Sequence, residues 1–407
     1  MPRTVFTFIA ALFFTTMLFA QNPEPHPRNI PSHPEYGFWN EELNVIQNAP
    51  ALDRVFAALA IFNDHATTRI DIAHIGDSHI QADMLTAAIR HHFQTEFADG
   101  GRGLVVPMQV AGTNEPRDYR SSSNVAWQRK RICFPQEPLP IGIGGVTVRT
   151  TQPAARLTIR GTRPSIDAVK VFATPHEGAA FTVCDSAGNV MLRSEEMSHS
   201  ANAYTAYLPY PVREFSLVTA PTISPENPFT LFGISLDDHT GVAYHAIGVN
   251  GAMYAHYNAA GTTFHEQLAE LAPALIIVAL GTNEAQTPSG AACEHEIATF
   301  VQNLQKYNPQ ASLLLVVPYP SYLHRKHPNP NLETVREAIV HYATANGIAY
   351  YDPLTAGGGI ASAHAWKQTG LLGGDGVHYA AKGYALQADW LYAALMKAFR
   401  DYQLRKK

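Results

Sequence analysis

The sequence has few cysteines, and none of them is spaced for metal binding. Cys133, Cys184 and Cys293 lie far apart, and no C-x-x-C motif is present, which excludes a zinc ribbon and a thioredoxin-type site. In an oxidising compartment Cys133 and Cys184 could pair, and free buried thiols are the equal alternative. The 19 histidines include no H-E-x-x-H motif. We therefore expect neither a metal site nor a cofactor.

The sequence also lacks an excess of basic charge. Its 29 Lys+Arg against 34 Asp+Glu give a net charge of −5, which provides no positive field for a phosphate backbone and argues against nucleic-acid binding. With 28 glycines, 28 prolines and 46% hydrophobic residues, the composition excludes collagen-like, coiled-coil and wholly disordered chains. The length of 407 residues predicts two or three folded domains.

Long apolar runs are missing except at the N-terminus. A positive charge at Arg3 precedes the run from Val5 to Ala20, which is shorter than the ~20 residues of a spanning helix and is typical of a secretory signal peptide over residues 1–20. An uncleaved anchor is the alternative. Residues 21–38 are then a Pro-rich mature N-terminus, without a membrane span in the mature chain. We expect an exported protein of the periplasm or cell envelope.

Apolar runs and helical patterns alternate along two parts of the chain. After a helical lead-in around Trp39 to Phe62, a strand over residues 69–75 precedes an amphipathic helix over residues 81–97. Further strands of parallel type are predicted over residues 242–249, 274–280, 312–317 and 347–352. This alternation predicts an α/β domain with a doubly wound parallel sheet.

The intervening residues show a different pattern. Short β-rich runs with few helix formers between them predict an inserted all-β sandwich or jelly roll over residues 110–238; the runs cover residues 145–160, 166–173, 181–194, 204–220 and 229–236. The α/β domain is therefore discontinuous, with residues 39–109 and 239–407.

Polar residues follow the predicted parallel strands. Gly76-Asp77-Ser78 ends the first strand, and Asp375 and His378 lie three residues apart in the segment that is predicted to open the last helix. A serine hydroxyl needs a base, and the imidazole needs an acceptor that holds its tautomer. This spacing predicts Ser78 as the nucleophile, His378 as the base and Asp375 as the residue that orients it.

A tetrahedral intermediate also needs hydrogen-bond donors for its oxyanion. Backbone N–H groups of Ser78 and Gly251 and the side-chain amide of Asn283 follow neighbouring strands, and one such donor contributes ~3 kcal/mol. Each motif alone fits an ordinary turn or helix cap. Their combined order after strands predicts a site for acyl transfer.

These motifs resemble the SGNH (GDSL-type) hydrolase superfamily over residues 69–98 and 242–400. The resemblance implies a flavodoxin-like three-layer fold, with Ser78, Asp375 and His378 as the triad and Ser78, Gly251 and Asn283 as oxyanion donors. The GDSH form of the first block and the β insertion resemble secreted O-acetylpeptidoglycan esterases of Gram-negative bacteria. By analogy with that group, the insertion is expected to be carbohydrate-binding-like.

Other residues carry weaker signals. His79, which stands where the family name has leucine, is expected to be a packed residue rather than a polar lip of the site. Arg102, in the glycine-rich segment 100–103, is expected to be a solvated charge in a turn. Four insertion aromatics could stack on sugars but are typical of a sandwich core; they are Trp127, Tyr204, Tyr207 and Tyr210.

The sequence therefore predicts a monomeric serine esterase that removes O-acetyl groups from a cell-envelope polysaccharide, with peptidoglycan favoured. Transfer of the acetyl group from Ser78 to a sugar hydroxyl instead of water would make the protein an O-acetyltransferase, and the sequence does not separate the two. A non-catalytic glycan-binding envelope protein is disfavoured, because every catalytic position is filled.

Overall fold

The structure is a computed structural model that describes residues 27, 29–63, 68–134, 138–161, 166–175, 178–287 and 293–407. The predicted signal peptide over residues 1–20 lies outside the described residues. Within them, no helix is long and apolar enough to cross a bilayer.

The described residues form strands and helices in an order close to the predicted one. The strands are β1 (Ile46–Gln47), β2 (Arg69–Gly76), β3 (Gly101–Val105), β4 (Tyr119–Ser123), β5 (Gln128–Arg131), β6 (Val146–Thr150), β7 (Arg156–Gly161), β8 (Ala168–Ala173), β9 (Phe181–Asp185), β10 (Val190–Arg193), β11 (Ser198–His199), β12 (Tyr204–Tyr207), β13 (Glu214–Thr219), β14 (Phe229–Asp237), β15 (Gly241–Gly248), β16 (Leu275–Ala279), β17 (Ser312–Val316), β18 (Tyr322–Leu323), β19 (His327–Pro328) and β20 (Ala349–Tyr351). The α-helices are α1 (Asp53–Ala60), α2 (Ser78–Gln81), α3 (Met84–Phe97), α4 (Tyr254–Asn258), α5 (Thr262–Ala269), α6 (Thr282–Ala285), α7 (Cys293–Tyr307), α8 (Asn331–Ala345), α9 (Pro353–Ala356), α10 (Ala363–Gln368) and α11 (Ala381–Lys406).

The predicted α/β fold class is confirmed by the central sheet. Its strand order is β1-β20-β17-β16-β2-β15, and every pairing is parallel except that of β1 with β20. Alternate residues of β2 enter different cores: Ile70 and Ile72 pack with α1, α3 and α11, whereas Ala73 and Ile75 pack on the other face. Both faces are therefore covered by other elements, as expected for parallel strands.

The predicted all-β unit is also present, as two antiparallel sheets. One has the order β10-β9-β13-β7-β4, and the other has the order β11-β12-β8-β14-β6-β5, with β3 paired to β14. The sheets pack face to face, since the ring centroid of Phe181 in β9 lies 5.2 Å from that of Tyr204 in β12 and 5.5 Å from that of Phe229 in β14. β3 lies before residue 110, where the insertion was predicted to begin. The antiparallel sheets therefore include residues that precede the predicted boundary.

Two local predictions are corrected by the backbone. The helix expected over residues 81–97 is divided into α2 and α3 by Asp83, whose φ of 53° is left-handed and cannot continue a helix. The lead-in over residues 39–62 contains β1 and a 3₁₀ turn before α1 begins at Asp53. Pro50 at the start of that turn favours the tighter geometry.

The three cysteines are free in the structure. Cys133 is half-buried, whereas Cys184 and Cys293 are buried. Cys133 and Cys184 therefore form no disulfide in the structure, and the alternative of free thiols applies.

The prediction of a solvated Arg102 is wrong. Arg102 lies in β3, and its side chain is 5% exposed. Its guanidinium donates to Asp83 Oδ2 at 2.6 Å and to Asp118 Oδ2 at 3.0 Å, and Arg90 donates to Asp83 Oδ1 at 2.8 Å. The spacing of glycines around Arg102 resembled a turn, but pairing with β14 makes the segment a strand. These ion pairs connect α3 to the antiparallel sheets.

We expect Asp83→Asn to destabilise the protein by about 3–5 kcal/mol, because two buried guanidinium groups lose their shared carboxylate. Asparagine retains the size of the side chain and tolerates the left-handed backbone. The control Asp53→Asn removes the partially exposed ion pair with Arg405, which contributes at most about 1 kcal/mol. Urea unfolding of both variants measures the difference, and equal losses would contradict the role of the network.

Candidate active site

Three neighbouring strands end side by side at the candidate site. Gly76 at the end of β2 is paired in register with Gly248 of β15 and Ala279 of β16. The segments that follow these strands contain Ser78, Gly251 and Asn283, respectively. Parallel pairing therefore brings residues that are distant in sequence to one edge of the sheet, where ligands bind in such folds.

Ser78 is the first residue of α2, directly after Asp77 caps that helix. Asp77 Oδ1 accepts the backbone N–H of His79 at 2.9 Å. A glycine at position 248 is required here, because a Cβ would lie 2.4 Å from the amide nitrogen of Gln81. The turn that carries Ser78 therefore packs directly on the end of β15.

The serine, histidine and aspartate side chains form a continuous chain of hydrogen bonds. Ser78 Oγ lies 2.8 Å from His378 Nε2, and His378 Nδ1 lies 2.7 Å from Asp375 Oδ2. An ionised carboxylate only accepts, so Nδ1 carries the proton and Nε2 is left to accept from Ser78. The contacts expected from the sequence are present in the structure.

Asp375 is held by its own turn. Its Oδ1 accepts the backbone N–H groups of Val377 and His378, each at 2.9 Å. Burial raises the pKa of Asp375, but the hydrogen bonds from the His378 ring and these amides outweigh it and lower the pKa below its usual value. The carboxylate is thus ionised when it faces His378. α11 begins at Ala381, so the pair lies in the preceding turn rather than at the helix start that the sequence indicated.

Gly251 and Asn283 both border the same cleft as Ser78 and His378. Gly251 has a φ of 82°, which favours glycine, while open space surrounds the position that a Cβ would take. The left-handed conformation of the backbone therefore accounts for a glycine at this position.

The side-chain amide of Asn283 is already engaged. Its Nδ2 donates to Ala252 O at 2.9 Å and to Asp77 Oδ2 at 3.2 Å. These two contacts use both amide hydrogens and fix the direction of the side chain. A bound oxyanion would have to share one of them, and the Asp77 contact is the longer.

Two buried carboxyl groups, those of Asp77 and Glu284, adjoin residues of the site. Burial raises the pKa of Asp77 to about 6 and the pKa of Glu284 to about 7. Glu284 Oε1 accepts the backbone N–H of Tyr254 at 2.8 Å, whereas Oε2 is buried without a hydrogen-bond partner in the described part of the chain. Few groups therefore compensate the negative charge of Glu284.

His79 lies against the base. Its ring centroid is 5.3 Å from that of His378, and its Nδ1 lies 2.9 Å from the hydroxyl of Tyr384. Burial, with the neighbouring His378, lowers the pKa of His79 to about 3, so the ring is neutral. It also lines a largely apolar pocket, in agreement with a packed rather than a lip position.

Sequence reasoning missed an amide cluster at the cleft. Gln81, Asn114 and Asn250 are joined by hydrogen bonds, and the two asparagines border the cleft with Ser78. Asn250 precedes Gly251, so its position after β15 was the available signal. Asn114 belongs to the predicted insertion and is about 36 residues from Ser78 in the chain, so no local pattern connects it to the site.

The insertion aromatics divide into two sets. Trp127 and Tyr204 are buried in the sandwich core, whereas Tyr207 and Tyr210 are exposed. Tyr207 stacks on His239, before β15. His239 precedes the start of β15, whereas Ser78 follows the end of β2, which runs parallel to β15. The Tyr207–His239 pair therefore lies at the other edge of the sheet from the cleft. The described residues contain no group of metal-ligating side chains.

The chain is similar to known esterases and acylhydrolases in sequence and in fold. Residues 219–386 match the GDSL-like lipase/acylhydrolase family, a range that includes Gly251, Asn283, Asp375 and His378 but not Ser78. A peptidoglycan O-acetylesterase structure superposes with a TM-score of 0.74 at 24% identity and covers 88% of this chain and 99% of its own. A family two carbohydrate esterase from Cellvibrio japonicus is more distant, with a TM-score of 0.30 at 12% identity over 70% of this chain and 99% of its own. The curated proteins provide no match.

We expect Glu284→Gln to remove a pH-dependent part of the stability. The usual pKa of 4.5 is raised to about 7 in the folded chain, so the stabilisation from the protonated carboxyl is complete below pH 4.5 and is lost as the pH rises through 7. A shift of this size corresponds to about 3 kcal/mol.

Urea unfolding of the wild type and Glu284→Gln between pH 4.5 and 8 tests this sign. The free energy of unfolding of the variant, minus that of the wild type, should rise with pH by about that amount. Glu42→Gln, at an exposed position, serves as the control. A difference that is independent of pH would show that folding does not raise the pKa of Glu284.

Proposed function

We propose that this SGNH-type hydrolase removes O-acetyl groups from a cell-envelope polysaccharide, with O-acetylated peptidoglycan as its substrate, through an acetyl-Ser78 intermediate. The observation that carries the proposal is the relay from Ser78 Oγ through His378 to Asp375, with contacts of 2.8 and 2.7 Å. The GDSL-like family match and the shared fold support an esterase.

In the proposed first step, His378 Nε2 takes the hydroxyl proton of Ser78 while Oγ attacks the acetyl carbonyl carbon. Asp375 holds the ring and stabilises the imidazolium that forms. The backbone N–H groups of Ser78 and Gly251 and the Asn283 amide donate to the oxyanion. When the intermediate collapses, the sugar oxygen leaves and receives the proton from His378.

In the second step, His378 takes a proton from water, and the resulting hydroxide oxygen attacks the acetyl-Ser78 carbonyl. Collapse of this second intermediate releases acetate and returns the proton to Ser78 Oγ. The water oxygen enters the acetate, and no redox change occurs. The residues at the cleft thus suffice for both half-reactions without a cofactor.

The character of the cleft supports a neutral sugar substrate. Amide side chains of Asn114, Asn250 and Asn283 border it together with the aromatic rings of Tyr379 and Tyr384. Amides bind hydroxyl groups, whereas the two tyrosine rings are buried and contribute to the wall of the cleft. The protein with the similar fold is itself a peptidoglycan O-acetylesterase, which directs the choice of polysaccharide.

The domain organisation and cellular location complete the proposal. Residues 39–109 and 239–407 are proposed as the hydrolase domain and residues 110–238 as a carbohydrate-binding-like insertion, whose sheet is extended by β3 through its pairing with β14. We propose that cleavage of residues 1–20 releases a monomer, with the Pro-rich residues 21–38 at its start, into the periplasm or cell envelope, where the polysaccharide is found.

Ser78→Ala tests the nucleophile. The variant should lose acetyl-enzyme formation and hydrolysis of an aryl acetate, because no other group at the cleft can accept the acetyl group from the substrate. The measurement is release of the aryl alcohol, with mass spectrometry of the trapped acetyl-enzyme. Ser122→Ala, at an exposed serine of β4, is the matched control, and thermal melts report folding. Turnover equal to wild type in Ser78→Ala would falsify the mechanism.

Asn283→Ala tests the oxyanion donor separately. We expect kcat to fall about 10²–10³-fold with little change in KM, because the amide acts on charge that develops in the transition state. Steady-state kinetics on the aryl acetate, with thermal melts to verify folding, provide the measurement. An unchanged kcat would remove Asn283 from the proposed oxyanion site.

The substrate assignment is tested by acetate release. The purified mature chain is incubated with O-acetylated peptidoglycan and, in parallel, with an acetylated xylan or pectin. We expect free acetate chiefly from peptidoglycan. Acetate chiefly from another polymer would overturn the substrate, and acetylation of an added glycan acceptor without free acetate would identify an acetyltransferase.

A further inference from the structure

A buried glutamine organises the amide cluster at the cleft. Gln81 is 3% exposed and lies three residues after Ser78 at the end of α2. Its Nε2 donates to Asn114 Oδ1 at 2.9 Å and to Asn114 O at 3.0 Å, and its Oε1 accepts the backbone N–H of Asn250 at 2.7 Å. The segment after β3 is therefore fixed to the turn that carries the nucleophile.

The hydrogen bonds also determine how the two asparagine side chains are oriented. Asn114 Oδ1 accepts from Gln81 Nε2 and from Asn250 Nδ2, the latter at 2.7 Å. If the oxygen and nitrogen of the Asn114 amide were exchanged, its NH₂ group would face two other NH₂ groups, those of Gln81 and Asn250. The Asn114 amide therefore has one orientation. The cluster is thus preorganised before any substrate binds.

Part of each amide remains available. Among the described residues, Asn114 Nδ2 and Asn250 Oδ1 take part in no hydrogen bond. Asn114 is exposed and Asn250 is half-buried, and both border the cleft with Ser78, Gly251 and His378. The cleft therefore presents one fixed donor and one fixed acceptor beside the proposed nucleophile.

We infer that Asn114 and Asn250 are specificity-determining residues that bind the sugar whose acetyl ester is attacked by Ser78. This inference rests on the proposed function. Asn114 Nδ2 donates to a hydroxyl or carbonyl oxygen of the sugar, and Asn250 Oδ1 accepts from a hydroxyl or amide N–H. Both groups are uncharged, which suits a neutral ring rather than an acidic one. Through Asn114, the β insertion contributes directly to substrate selection.

Asn114→Asp separates recognition from structure. Aspartate keeps an oxygen that accepts from Gln81 and Asn250, but it replaces the Nδ2 donor with an acceptor. A sugar-binding role predicts that kcat/KM for acetate release from the glycan falls about tenfold more than kcat/KM for an aryl acetate, which lacks the sugar. A purely structural role predicts that the variant retains glycan activity.

Asn114→Ala and Asn250→Ala should show the same preferential loss on the glycan, mainly in KM. Asn189→Ala changes the same residue type in an exposed turn of the five-stranded sheet away from the cleft, and it should match the wild type on both substrates. Thermal melts verify that each variant folds.

The outcomes separate this inference from the proposed function. If the wild type releases no acetate from any glycan, the proposed function fails first. The inference is wrong if the wild type is active on the glycan but Asn114→Asp lowers kcat/KM for the glycan and for the aryl acetate equally. It is also wrong if the variant changes neither value. A selective loss on the glycan supports both.

Discussion

The common ending of three parallel strands is the constraint on which the site depends. Gly76, Gly248 and Ala279 are neighbours in the ladder, so the turns after them begin at the same height on the sheet. A shift of one residue in either pairing would reverse which side chains face each core. Since alternate residues of β2 are buried in two separate apolar cores, the register is strongly determined, and so is the separation of Ser78, Gly251 and Asn283.

Asp77 connects this backbone framework to the side chains of the site. It caps the helix that begins at Ser78 and accepts from the Asn283 amide, so one carboxyl group orients both the nucleophile segment and the proposed oxyanion donor. Its burial carries an electrostatic cost, visible in the raised pKa. Glu284, one residue after Asn283, has the same kind of environment. Burial of these two carboxyl groups therefore disfavours their ionised forms, while their hydrogen bonds hold the backbone and side chains of the site in place.

The antiparallel sheets are joined to the α/β part by polar contacts as well as by apolar packing. Arg102 of β3 shares Asp83 with Arg90 of α3, and Asn114 is bound by Gln81 of α2. On the side of the α/β domain, the shared carboxylate of Asp83 and the amide of Gln81 both follow Ser78 closely in the chain. Asn114, in the segment between β3 and β4, is the part of the predicted insertion that borders the cleft, and through it the insertion is placed beside the proposed nucleophile.

The sequence by itself determined the alternation of strands and helices, the inserted β unit and the residues of the proposed triad, because these depend on local periodicity and on short motifs at strand ends. Tertiary structure alone decided the burial of Arg102, the break at Asp83 and the amide cluster of Asn114. Arg102 and Asn114 have partners that are remote in the chain, and only the folded sheets bring those partners together. The backbone of Asp83 is left-handed, which no apolar pattern encodes, and its carboxylate is enclosed by arginines from two elements.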